Sequence, residues 1–137
     1  MGSSVAYHLL NLDPRLRVAV VERDPAYTRS STALSLGGVR IQFSLRENIL
    51  ISLYAQEFFS RFEEEMAVAG EKASIDYRRA GYLFLIDASG RAAAERDLAL
   101  QKGLGCAVEW WTPERIKKEF PLFAAELFVG ATFGPRD

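Results

Sequence analysis

The 137 residues hold one cysteine and one histidine. Cys106 alone cannot close a disulfide within these residues, and a cysteine-based zinc site is excluded with it. His8 alone leaves no His-rich metal site, so no metal centre is expected. Such sparing use of cysteine suits a reducing compartment. No apolar run approaches the roughly 20 residues of a membrane span. The opening residues also lack the basic segment of a signal peptide, so none is expected there. The formal net charge is −1. That small a charge leaves no electrostatic footprint for nucleic acid or an acidic membrane, and no nucleic-acid partner is expected. Internal repeats, linkers and low-complexity stretches are also missing. What the chain does have is 49% apolar and 26% charged residues, the balance of a globular rather than a disordered protein. Its length suffices for an ordinary domain with a sizeable core.

The most informative stretch runs from Met1 to Arg23. Gly2-Ser3-Ser4 opens an amphipathic run through Val5, Ala6, Leu9, Leu10 and Leu12, which Asp13-Pro14 breaks. Val18-Ala19-Val20-Val21 follows as a continuous apolar strand pattern, bounded by Glu22. In a dinucleotide-binding unit an acid stands about 20 residues past the glycine turn, because a helix and a return strand separate pyrophosphate from ribose. Gly2 and Glu22 have that spacing. The first strand and the earlier glycines do not precede Gly2. The expectation is therefore an internal fragment of a nucleotide-binding protein that begins at the last glycine of its fingerprint.

Further along, Asp24 to Ser35 is polar and turn-rich. Gly37-Gly38 allows positive φ and close backbone approach. Ser44 and Glu47 have capping-box spacing and predict a helix from about Leu45 to Ala69, stopped by Gly70. Tyr82 to Ile86 reads as a strand, Arg91 to Lys102 as an Ala-rich helix, and Ala107 to Trp111 as a short strand. Thr112-Pro113-Glu114 starts a short helix to Phe120, and Leu127 to Phe133 reads as a last strand. The alternation argues an α/β or α+β chain: a truncated Rossmann-type nucleotide-binding half over residues 1–70, then part of a separate, mixed-sheet domain over 71–137. Trp110-Trp111 and Phe58, Phe59 and Phe62 read as apolar packing rather than a binding face. Arg78-Arg79 reads as a solvated approach to the strand.

Several of these runs resemble one family in their order and spacing. They are Gly2 to Tyr7, Val20-Val21-Glu22-Arg23-Asp24-Pro25, Ser31-Thr32, Leu34 to Gly38, Gln42 to Asn48, Gly81-Tyr82-Leu83 and Gly134-Pro135-Arg136-Asp137. Together they are similar to the FAD-dependent amino-acid and amine oxidoreductases, which include D-amino acid oxidase, glycine oxidase, sarcosine oxidase and dimethylglycine dehydrogenase. Within that family the nearer resemblance is to a group with a mitochondrial complex I assembly factor and its bacterial relatives.

The resemblance implies that residues 1–70 are the truncated FAD/NAD(P)-binding half and 71–137 part of a substrate or cap domain, and it implies roles for particular residues. Gly2 and Ser3 would face the FAD pyrophosphate at a helix N-terminus, where free N–H groups and the positive helix end favour phosphate. Glu22 would accept hydrogen bonds from the adenosine ribose, and Arg23 would lie beside the adenine. Ser30, Ser31 and Thr32 would form the polar loop that passes the pyrophosphate. Gly37, Gly38 and Arg40 would form the turn along the flavin ring. No histidine stands in the loop around Ser31–Gly37, so the FAD is expected to be non-covalent. The implied parent oxidises the C–N bond of an amino acid or secondary amine by hydride transfer to flavin, with an acceptor protein or oxygen taking the electrons. The alternative is an FAD-containing assembly or scaffold factor without turnover. No catalytic residue is assignable. The expected location is the cytoplasm of a bacterium or the mitochondrion of a eukaryote. Residues 1–137 alone are expected to be inactive and to self-associate.

Overall fold

The computed structural model describes residues 1–137. By contacts the chain forms two compact units, Met1–Gly38 and Val39–Asp137. This division is distinct from the functional one expected at Gly70.

In the first unit, helix α1 spans Gly2–Leu12, and no residue of it is buried. It ends at Asp13, which turns to extended backbone while its N–H donates to the Leu9 carbonyl. The Asp13 carboxylate also takes the Arg15 backbone and guanidinium groups at 2.9–3.1 Å. Val18–Val21, expected as a strand, joins no sheet. A strand is defined by the neighbour that satisfies its N–H and C=O groups, and no strand of this structure pairs with it. Gly2 packs beside this segment: a Cβ at Gly2 would stand 3.7 Å from Val20 Cγ1. From Asp24 to Ser35 the backbone makes a series of local turns. Asp24 accepts from the backbone N–H groups of Ala26 and Thr28 and from the Thr28 hydroxyl.

The second unit holds the regular structure. Helix α2 spans Arg46–Ser60, α3 Phe62–Glu65, β1 Tyr82–Ile86, α4 Arg91–Gly103, β2 Glu109–Trp111, α5 Pro113–Glu119 and β3 Gly130–Gly134, with a 3-10 turn at Ala125–Leu127 before β3. The three strands form one antiparallel sheet in the order β1-β3-β2, with Leu83 opposite Phe133, Leu85 opposite Ala131 and Trp111 opposite Ala131. Both strand pairs of this part of the sheet are antiparallel.

Alternation decides what each sheet face carries. One face presents Leu83, Leu85, Trp111, Ala131 and Phe133, and Ile116 of α5 and Ala125 complete that cluster. Trp111 lies 4.3 Å from the Phe133 ring, centroid to centroid. The opposite face carries Phe84, Trp110 and Thr132. The Trp110 indole lies on Gly130, where a Cβ would collide with the ring. A second cluster joins Ile41, Ile49, Cys106 and Val108, flanked by Phe43, Leu53, Leu98, Leu100 and Leu104. It binds α2, α4 and the segment before α2 together.

The helix expected from Leu45 to Ala69 is interrupted. Arg61, at φ −112° and ψ 3°, separates α2 from α3. The capping box at Ser44 does not form, since Leu45 is the N-cap and no side chain caps α2. Gly70, at φ +88°, sits in a tight turn closed by the Val68–Glu71 bridge, not at a helix end. The start of α5 follows expectation. Thr112 Oγ1 accepts from the Arg115 N–H, and Pro113 takes the first helical position.

Candidate FAD-binding segment and the Arg40 pocket

In the first unit, Gly2 and Ser3 form the first turn of α1. That helix has no side-chain cap, so its leading N–H groups have no acceptor within the helix. Val20 packs at Gly2, and Glu22 follows two residues later. The acid and the free N–H groups both belong to this unit. Glu22 is exposed and its Oε1 accepts from the Asp24 N–H at 2.8 Å, which leaves Oε2 for a further donor. Arg23 is exposed beside it.

Ser30 begins the next turn, its Oγ accepting from the Ala33 N–H at 3.1 Å. Ser31 and Thr32 are exposed, and the Thr32 carbonyl accepts from the Ser35 hydroxyl. Gly37 adopts φ +66°, in the left-handed region that disfavours a side chain, with open space where a Cβ would stand. Gly38 is exposed next to it. Asp24 anchors the first of these turns. The Thr28 hydroxyl foremost, and then backbone N–H groups, hold its carboxyl below the usual range.

Arg40 belongs to the second unit. Its guanidinium lies over two aromatic rings, 4.7 Å from the Phe43 centroid and 5.2 Å from that of Phe84, within reach of cation–π attraction. It lines a pocket of ≈ 340 Å³ together with Gln42, Ser44, Phe84, Thr132 and α4 residues including Asp97 and Gln101. Two glutamines hold the Arg40 segment in place. Gln101 Nε2 donates to the Phe43 carbonyl at 3.0 Å. Gln42 Nε2 donates to the Tyr82 carbonyl at 2.9 Å and to Asp137 Oδ2 at 3.0 Å.

Asp137 is 5% exposed. Burial pushes its carboxyl up from the ordinary value, against the hydrogen bonds from Gln42 and Ile41, which favour the charged form. Gln56 is buried, and its side chain also favours the charged form of this carboxylate. The Cys106 thiol is pushed up by burial first and by the Asp137 charge second. It is an apolar core residue rather than a nucleophile.

Gln42, Gln101 and Asp137 were not singled out as site residues from the sequence. Their roles come from contacts across 40 to 96 positions, and no local pattern carries such a signal. Arg78 is exposed and pairs with Asp76, as a solvated approach to the strand should be.

A family profile described as DAO, FAD dependent oxidoreductase, matches residues 1–137. The chain belongs to this family of FAD-dependent oxidoreductases. FAD-dependent oxidoreductase domain-containing protein 1 of Bos taurus and that of Xenopus laevis are each 39% identical to it over 138 residues, covering 98% of this chain and 28% of their own length. The Mus musculus protein of the same name is 34% identical over 142 residues. The chain thus spans under a third of the curated relatives it matches. Among solved structures it is similar to an L-proline dehydrogenase from P. horikoshii, at 25% identity and a TM-score of 0.59, over 73% of this chain and 25% of that one.

The family implies FAD, and the residues present fit it. An uncapped helix start, an exposed acid with a free oxygen, and a glycine turn with open space beside it are the donors, acceptor and clearance that a dinucleotide needs. No helix is long and apolar enough to cross a membrane.

Proposed function

We propose that this chain is the part of an FAD-dependent dehydrogenase or oxidase that holds the adenine end of the cofactor and lines one side of the flavin, and that the whole protein oxidises the C–N bond of an amino acid or secondary amine. Bound FAD supplies the electron acceptor for that oxidation. The residues of this chain supply the setting. Gly2 and Ser3 present N–H groups to the pyrophosphate, and Glu22 takes the ribose hydroxyls, with Arg23 beside the adenine. Ser30, Ser31 and Thr32 contribute hydroxyls along the phosphates. Gly37 and Gly38 keep the backbone slim where the flavin passes, and Arg40 offers a fixed positive charge to the flavin or to an anionic group of the substrate.

The observation that carries the reading is the placing of Gly2 against Val20 in a chain of this family. It sets the helix start against the segment that leads to the acid, despite the twenty residues between Gly2 and Glu22. The likeness to an L-proline dehydrogenase supports a cyclic or secondary amine as substrate.

The test is anaerobic mixing of the full-length, FAD-loaded protein with proline, N-methylated glycines and primary amino acids. The reading predicts that at least one of them bleaches the oxidised flavin band. A flavin that stays oxidised with every one of them contradicts it and favours a scaffold that keeps FAD without turnover.

A further inference from the structure

The segment Arg40–Phe43 has no regular secondary structure, yet Ile41 is 1% and Gln42 7% exposed. Buried irregular backbone needs partners for its polar groups. Within the segment itself there is one such bond, from the Phe43 N–H to the Ile41 carbonyl at 2.8 Å. Gln101 takes the Phe43 carbonyl. Asp137 supplies two further acceptors. Its Oδ1 accepts the Ile41 N–H at 3.1 Å, across 96 residues, and its Oδ2 accepts the Gln42 side chain at 3.0 Å.

Asp137 is itself locked from the other side. The Gly81 N–H donates to its carbonyl at 2.9 Å, and its own N–H donates to the Gly134 carbonyl at 3.2 Å. Two glycines clear the space. A Cβ at Gly134 would lie 2.5 Å from Asp137 Oδ2, and one at Gly81 would lie 2.7 Å from two Phe133 ring carbons. The turn after β3 and the approach to β1 therefore deliver one buried carboxylate to the backbone next to Arg40.

We infer that Asp137 is a positioning residue. Its carboxylate fixes Ile41 and Gln42, and through them the place of the Arg40 guanidinium beside the cofactor. The inference rests on the proposed function in taking Gly37–Arg40 to run along the flavin. A carboxylate suits this task better than an amide. It accepts at both oxygens, and the donors that meet it, among them the Ile41 N–H and the Gln42 amide N–H, need more than one acceptor. A charged acceptor also holds each donor more strongly than a neutral one.

The test uses the full-length, FAD-loaded protein and the variants Asp137→Ala and Asp137→Asn, read by hydrogen exchange at the Ile41 amide and by the flavin absorbance band. The alanine variant removes both acceptors. The asparagine variant keeps shape and one acceptor, and it reads the role if the alanine variant fails to fold. The expected result is a loss of Ile41 amide protection of about tenfold or more, with a shifted flavin band in both variants and a smaller shift for asparagine. An FAD-bound wild type whose flavin band is unmoved in the asparagine variant overturns the positioning role alone. A wild type that binds no FAD overturns the functional reading, and this role with it.

Discussion

No residue of α1, in the Met1–Gly38 unit, is buried, whereas Ile41, Ile49 and Ile116 of the Val39–Asp137 unit are at most 1% exposed. The first unit carries nine of the ten candidate cofactor residues, and the turns between Asp24 and Gly37 are held by short-range bonds such as those of Asp24 and Ser30. The second unit has the sheet, both apolar clusters and the long-range polar contacts. Apolar burial, at roughly 25 cal/mol per Å², therefore stabilises the region that shapes the Arg40 pocket. The region that would meet the pyrophosphate and ribose keeps its polar groups open. Exposed N–H groups and a free carboxylate oxygen cost nothing in water and are available to a ligand. The same groups buried without partners would destabilise the protein.

Substitutions should separate the two regions sharply. The largest effect is expected at Ile116, which is fully buried between α5 and the sheet. Ile116→Ala should destabilise the protein by about 2–5 kcal/mol in denaturant titration. Next comes Gly81, where φ is +82° and the Phe133 ring fills the side-chain position. Gly81→Ala should cost roughly 1–3 kcal/mol, seen as a lower unfolding midpoint.

A smaller effect should follow pH through Asp137. Its folded carboxyl titrates above the ordinary value because it is buried, so the folded state holds the proton more tightly than the unfolded one. The stability from this group is fully present below the unfolded value, near 3.8, and is lost as pH rises through the raised folded value. Measured against Asp137→Asn, wild-type stability should fall as pH rises from about 4. The carboxyls of Asp13, Asp24, Asp87 and Glu114, none of them buried, are shifted the other way. They are common to both proteins and cancel in the difference. The smallest effect belongs to the first unit: Val21 is 92% exposed, and Val21→Ala should change stability by no more than about 0.5 kcal/mol.

The same contrast explains what was legible in the sequence. The strand Tyr82–Ile86, the helix from Arg91 and the cap at Thr112 followed from local pattern, because side-chain period and capping chemistry act over a few residues. The interruption at Arg61 and the uncapped start of α2 did not. Propensity alone favours one long helix, and tertiary packing overrides it. Val18–Val21 has the composition of a strand, but composition cannot supply a hydrogen-bonding neighbour. The spacing of Gly2 and Glu22 can be read as half a fingerprint because a helix and a return segment have fixed lengths. The other half of the site's architecture was not legible. Asp137, Gln42 and Gln101 meet the Arg40 segment from positions far away in the chain, and nothing local marks a buried glutamine as a clamp.

In the proposed function the exposed acid of the first unit holds the cofactor, while the second unit supplies the stability. The most direct measurement is FAD titration of the full-length apoprotein and its Glu22→Gln variant, with thermal unfolding of both apoproteins recorded in parallel. The account predicts FAD binding weakened by about tenfold or more, the loss expected for hydrogen bonds to a charged group, with the unfolding midpoint unchanged. Equal FAD affinity in the two proteins would contradict it.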